Sequence, residues 1–251
     1  MRVFVLGAGD PEMHAIEAIL KERGEAVVYA CHRGRRVDIH TAYEAHDVSP
    51  SLPANATEVI FVECSVMGLH YTDLIDHHRP GDPGYEMPPQ EYLKGSSLGQ
   101  LLTLLGMVPT DEQRIICAAD HCLTYAYQGL CPGVEPTALK AWRAQCRAER
   151  AQISVEKFER LVEAAHRRLL DAEKLDVAGV PVAWVGEMEG EYGEAGARFN
   201  IPFMGTRSIG RSTSVTIFGA SPDAIRSWMK NCGLKRVFGA PERGYAGGYT
   251  A

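Results

Sequence analysis

The sequence predicts an α/β protein laid out as a parallel-sheet α/β domain over residues 1–135, a helical connector over 136–176 and a small α+β domain over 177–251. Three observations carry that prediction. The chain opens as strand, glycine turn, helix and strand, the unit from which parallel sheets are built. Residues 135–175 are rich in Ala, Arg, Glu and Leu, with apolar side chains at helical spacing. From Asp176 onward the texture changes to short β-rich runs.

At 251 residues, 45% apolar and 23% charged, the chain has the composition of a globular protein with a full core. A net charge of -6 argues against a broad footprint for duplex nucleic acid. It leaves room for a local phosphate site, filled by a small phosphorylated molecule or a short single-stranded oligonucleotide. Seven cysteines, an odd number without a Cys-x-x-Cys pair, argue for reduced thiols rather than a disulfide framework or a zinc ribbon. The opening MRVFVLGAG fails as a signal peptide and no stretch approaches ~20 consecutive apolar residues, so a cytoplasmic protein without a membrane partner is expected.

In chain order, Val3 to Leu6 reads as a buried strand, Met13, Ile16 and Leu20 as the apolar side of a helix that Gly24 stops, and Ala26 to Ala30 as a second strand. Gly7 and Gly9 between strand and helix also fit the start of a dinucleotide-binding turn, with Arg33, Arg35 and Arg36 suiting a 2′-phosphate, and a Rossmann-like oxidoreductase is one alternative. Against it, Glu12 stands where the third glycine belongs, and Asp10 and Glu12 would oppose a pyrophosphate. These two acids read either as caps of the helix's first turn or as ligands of a cation at the mouth of the sheet.

Glu58 to Cys64 is the third strand and contains Glu63 between apolar neighbours, where an unpaired charge is expensive. Asp76, His77 and His78 then precede a loop marked by Pro80, Gly81, Pro83 and Gly84. Neighbouring side chains diverge, so only a strand end or loop can aim two of the three at one centre while the third orients or acts as an acid. A histidine-rich surface turn is the other reading. Ser96 to Leu105 predicts a Ser-capped helix, and Arg114 to Ala119 a strand ending in Asp120 and His121. Four segments thus deliver acids or histidines at or after apolar strands. In a parallel sheet such ends converge on one edge, and mixed carboxylate and imidazole donors suit manganese, iron or zinc in a two-metal hydrolytic site.

Taken in that order, these residues resemble the DHH phosphoesterase superfamily, which includes RecJ-like exonucleases, family II pyrophosphatases and oligoribonucleases. The match runs over roughly the first half of the chain: GDPEMHAIEAIL with Asp10 and Glu12, then Glu63, then Asp76-His77-His78, then Asp120. The resemblance implies hydrolysis of a phosphoester or phosphoanhydride in a nucleotide or short oligonucleotide, with one or two Mn2+ ions, or Mg2+, Fe2+ or Zn2+ in their place. It implies Asp10, Glu12, Glu63, His77 and Asp120 as metal ligands, and His78, oriented by Asp76, as the catalytic acid. Leu6 stands where some members carry a metal-binding histidine, and Glu replaces Asp at Glu12 and Glu63, so His14 or His121 enters as a substitute ligand. A catalytically degenerate binding or regulatory protein of the same fold is the other consequence of those departures.

Further along, Phe158, Leu161, Val162, Ala165 and Leu169 mark an amphipathic helix with Ser154 as its N-cap, and the arginines from Arg143 to Arg168 read as a solvated face. VPVAWVGE, ARFNIPF and STSVTIF read as β-rich runs, with a helix near Pro222 to Cys232. The final VFGAPERGYAGGY resembles the glycine-rich loop of the domain that accompanies many DHH proteins, but lacks its histidine. That resemblance implies substrate contacts at Gly239, Arg243, Gly244, Gly247 and Gly248, and Arg207 and Arg211 are further phosphate candidates because guanidinium groups read phosphate with two hydrogen bonds.

Overall fold

The computed structural model describes residues 1–209 and 212–250. The chain has a mixed α/β architecture and divides into two compact units, Met1–Tyr85 with Glu91–Asp120, and Glu86–Gln90 with His121–Ala251.

In the first unit, strand β1 (Arg2–Leu6) is apolar on both faces and lies at the centre of a sheet, as a strand covered on both sides must be. Helix α1 (Pro11–Glu22) follows, then β2 (Ala26–His32), the short β3 (Arg35–Arg36) and β4 (Asp47–Ser49), and then β5 (Glu58–Val62) and β6 (Asp73–Ile75). The sheet order is β3-β2-β1-β5-β6, with β4 also on β2; β1, β2, β5 and β6 run parallel, and β3 and β4 are antiparallel to β2. One face is closed by a core that includes Val3, Val5, Val28, Ala45 and Phe61. The turn after β6 leads through α2 (Tyr92–Gly95) into α3 (Ser97–Leu104), whose Ser96 cap accepts a hydrogen bond from the Gly99 amide. Strand register aligns the ends of the sheet. Leu6 pairs with Val62, and Val62 with Ile75, so the chain leaves the sheet at Gly7, Glu63 and Asp76 side by side.

The expected strand at Arg114 to Ala119 is instead the interior of helix α4 (Asp111–Tyr127). Its apolar run is too short to separate a buried strand from a buried helix turn. The deciding signal lies just upstream: Thr110 Oγ1 accepts from the Gln113 amide (3.2 Å) while Gln113 Oε1 accepts from the Thr110 amide (2.9 Å), a reciprocal capping box. Asp120 therefore arrives from a helix.

The second unit includes α5 (Pro136–Ala151) and α6 (Val155–Asp171), β7 (Lys174–Val177), β8 (Val180–Glu187), α7 (Tyr192–Arg198), β9 (Phe203–Ile209), β10 (Ser212–Phe218), α8 (Pro222–Asn231), β11 (Lys235–Ala240) and β12 (Tyr245–Tyr249). Its sheet order is β11-β12-β10-β9-β8-β7, antiparallel except between β8 and β9. The ARFNIPF run is not one strand. Ala197 and Arg198 close α7, Asn200 turns with φ +52°, and β9 begins only at Phe203. Phe158, Val162, Ala165 and Leu169 of α6 pack with Phe203 and Ala195, whereas Leu161 is exposed. Ala224, Ile225 and Trp228 of α8 pack with Val182, Met204 and Ile217 in a separate core. Arg143 and Arg147 do not join a solvated face: they pair with Glu194 and Glu191. No described helix is long and apolar enough to cross a membrane.

Candidate metal centre

At the edge where β1, β5 and β6 end, close backbone packing sets the geometry. A Cβ on Gly7 would sit 2.2 Å from the Glu63 carbonyl oxygen, so only glycine lets β1 pass this close to the end of β5. Glu63 itself has φ +50°, a left-handed conformation that costs a glutamate energy and turns the chain at that point. Its side chain is buried, as are Glu12 and His77.

His77 Nε2 lies 3.4 Å from Glu63 Oε1 and 3.1 Å from Asp120 Oδ2. One ligand atom each from Glu12, Glu63, His77 and Asp120 fall within 4.8 Å of one another, and so do those of Glu63, His77 and His78. The two groups share Glu63 and His77. Glu12 is pinned through Oε1, which accepts the Leu98 amide at 2.9 Å in the first turn of α3; its Oε2 is buried without a hydrogen-bond partner. Burial, and then the charges of Asp120 and Glu63, push the Glu12 carboxyl well above the ordinary range. The same causes in the same order push Asp10 up to about 7. Glu63 goes the other way: burial opposes its ionisation, but His78 and His77 outweigh that and lower it. Such crowded buried carboxylates are costly unless a cation is shared among them. The orphaned Glu12 oxygen and the three-carboxylate, one-imidazole donor set fit a divalent cation.

Asp76 has a different task. It is buried, and its carboxylate accepts from the amides of His77 (2.7 Å) and His78 (3.1 Å), from His78 Nδ1 (2.9 Å) and from the Tyr43 hydroxyl at 3.0 and 2.9 Å. Burial opposes its charge, but the His78 and Tyr43 bonds hold its pKa below the usual value. The structure makes it an orienting residue for His78. Burial and the adjacent Asp76 push the Tyr43 hydroxyl far above its ordinary value, so it stays a donor. Gln100 brackets the Asp76 backbone, its amide nitrogen donating to the Asp76 carbonyl (3.1 Å) and its oxygen accepting from the Asp76 amide (3.3 Å).

A scan against models of protein families finds no match for this chain, and a search of curated proteins finds none. The site is therefore defined by its geometry alone.

Of the residues singled out from sequence, Glu12, Glu63, His77, His78 and Asp120 come together, with Asp76 behind His78. Asp10 is the N-cap of α1, accepting the Met13 amide at 2.8 Å. His14 lines a surface cleft of about 450 Å³ with Glu17, Lys21 and Arg36. Arg36 Nε donates to the Gly7 carbonyl, and its Nη1 pairs with Glu17. Leu6 is fully buried. His121 belongs to the second unit, where its Nε2 hydrogen-bonds the Met87 carbonyl at 2.8 Å.

Arg207 is exposed on β9, and Arg211 lies outside the described residues. Gly247 and Gly248 are buried on β12 between β10 and β11, and Gly239 lies on β11, so these glycines sit in a sheet rather than a loop. Gly244 ends the turn between those strands, and Arg243 Nε donates to the His121 carbonyl. Tyr43 and Gln100 are functional neighbours that the sequence does not single out. A glutamine inside the apolar run of α3 is the one available signal for Gln100; nothing local marks Tyr43.

Proposed function

We propose that this protein is a metal-dependent hydrolase of phosphoester or phosphoanhydride bonds in nucleotides or short oligonucleotides, with the DHH-type layout that its N-terminal motifs resemble. The observation that carries the reading is the group of buried Glu12, Glu63 and His77 with half-buried Asp120, beside an Asp76-oriented His78. Glu12, Glu63, His77 and Asp120 would hold a cation, Mn2+ being the one proposed. A bound divalent cation supplies Lewis acidity toward a phosphoryl oxygen and toward water.

The chain's own groups supply the rest. The Asp76 carboxylate accepts from His78 Nδ1 and so orients the ring; in its protonated form His78 would give a proton from Nε2 to the departing oxygen. Tyr43 and the two histidine amides keep Asp76 ionised and fixed, so His78 does not have to be oriented anew in each cycle. The fully buried Leu6 offers no ligand, which favours the second reading, a binding protein with a reduced centre.

The test is Mn2+ titration calorimetry and turnover of bis-nitrophenyl phosphate and dinucleotides by the wild type, His77→Ala and His78→Ala. Both substitutions should abolish turnover, and only His77→Ala should abolish Mn2+ binding. Turnover indifferent to chelator and to His77→Ala would remove the assignment. Mn2+ binding without turnover would leave the binding-protein reading.

A further inference from the structure

The loop after the histidines holds a side chain that the proposed chemistry does not use. Arg79, Pro80, Gly81 and Asp82 form a tight turn in which the Asp82 amide donates to the Arg79 carbonyl at 3.0 Å and Gly81 takes φ +97°, the arrangement that Pro-Gly at its centre favours. The Asp82 carboxylate accepts the Arg79 amide at 2.7 Å and ties the turn from the other side. The Arg79 guanidinium lies over the ring of Tyr43, with Cζ 3.2 Å from the centroid. Tyr43 bonds Asp76 through its hydroxyl and meets His78 edge-on, with ring centroids 6.3 Å apart. Arg79 is thus held by backbone and side chain alike, beside the residues that orient the proposed acid.

Its donors are unspent. Arg79 is exposed, and no described residue accepts a hydrogen bond from its guanidinium or forms an ion pair with it. An exposed arginine ordinarily loses side-chain freedom when it binds an anion. Stacking on Tyr43 has already removed much of that freedom and leaves the N–H edge open, the geometry that reads a phosphate with two parallel bonds. The nearby acids repel anions, so a fixed cation at this position gives an approaching phosphate a place to rest. The stack also covers one face of Tyr43 against a nucleobase.

We infer that Arg79, laid on Tyr43, is a specificity residue that binds a phosphate monoester group of the substrate beside the candidate centre. This rests on the hydrolase reading for the word substrate, but the binding of phosphate does not.

The test is calorimetric titration of the purified protein with inorganic phosphate and, separately, with a 5′-nucleoside monophosphate, without added metal. Arg79→Ala should weaken both by about tenfold, the worth of a charged hydrogen bond, and Arg79→Lys should recover only part of the loss. Tyr43→Leu, which keeps the arginine but removes its platform, should also weaken binding. Tighter binding of the monophosphate than of inorganic phosphate would identify the esterified group as the ligand; equal binding would overturn the substrate-specificity role. No phosphate binding by the wild type, or equal binding by Arg79→Ala, would overturn the inference. Phosphate binding lost in Arg79→Ala in a protein that hydrolyses no phosphodiester with Mn2+ would remove the hydrolase reading and retain the anion site.

Discussion

Replacing Glu12 with glutamine should make the metal-free protein more stable while abolishing its response to metal. The Glu12 Oε1 bond to the Leu98 amide survives, because the glutamine oxygen can occupy the same place. Its NH2 group replaces an oxygen that has no hydrogen-bond partner and turns donors toward Glu63 and Asp120. At separations within 4.8 Å, two ionised carboxylates in a medium of effective dielectric ~20 repel by at least about 3.5 kcal/mol. The wild type escapes that repulsion only by keeping on Glu12 a proton that the unfolded chain gives up, so a cost persists either way at neutral pH. The expected relief is on the order of 1–3 kcal/mol.

The sign follows from linkage. Because burial, Asp120 and Glu63 raise the folded carboxyl above its ordinary 4.5, the folded state holds the extra proton above that pH, and wild-type stability falls as pH rises through the window. The advantage of Glu12→Gln should therefore be present at about pH 7–8 and vanish below about pH 4.5. The assay is thermal unfolding in chelator and in Mn2+. At a hundredfold excess over Kd, Mn2+ should stabilise the wild type by about 2.7 kcal/mol, a rise of roughly 5–10 °C for a chain of this size, and should leave the variant unmoved. A variant that melts lower in chelator, or that keeps the Mn2+ shift, would refute the reasoning.

Three further outcomes can be checked. Arg143→Ala should cost about 3 kcal/mol in chemical denaturation, because it strips Glu194, a buried carboxylate, of two bonds at 2.9 and 2.8 Å while Arg198 remains; a loss below about 1 kcal/mol would contradict the buried-pair account. Burial raises the Glu17 carboxyl, but bonds from Lys21, Tyr29 and Arg36 outweigh it and bring it down to about 2. Its contribution is present above the ordinary 4.5 and lost as pH falls through about 2, so Glu17→Gln should flatten that acid limb by about 1 kcal/mol after allowance for solvent screening. An unchanged acid limb would count against it. Gly99→Ala should destabilise by about 1–3 kcal/mol although alanine is the better helix former, since the added Cβ would meet the Leu93 carbonyl oxygen at 2.0 Å; a stabilised variant would show that α3 can shift.

Several elements are legible because their causes are local. The continuous apolar runs of β1 and β5, the 3.6-residue spacing in α1 and α6, and the caps at Ser96 and Ser154 each announce themselves within a dozen residues. Arg114 to Ala119 goes astray where a local signal is ambiguous, since a short apolar run suits either period and the capping box at Thr110 decides the matter. The strand end after Leu6 falls where the sequence puts it, but a requirement for Gly7 lies elsewhere in the chain: a side chain there would meet the Glu63 carbonyl of the neighbouring segment.

The candidate centre divides along the same line. By itself the sequence determined which donors exist and that acids follow the ends of β1 and β5, because residue type and strand periodicity are properties of the chain. Tertiary structure alone decided that Glu12, Glu63, His77 and Asp120 meet, that Asp10 caps a helix near enough for Asp120 and Glu63 to raise its carboxyl, and that Tyr43 and Gln100 fix Asp76 from 33 and 24 residues away. Those facts depend on the strand register that sets Leu6 beside Val62 and Val62 beside Ile75, and on the helix that carries Asp120 to them. Register and helix packing are settled by burial across the whole unit, and no window of neighbouring residues contains that information.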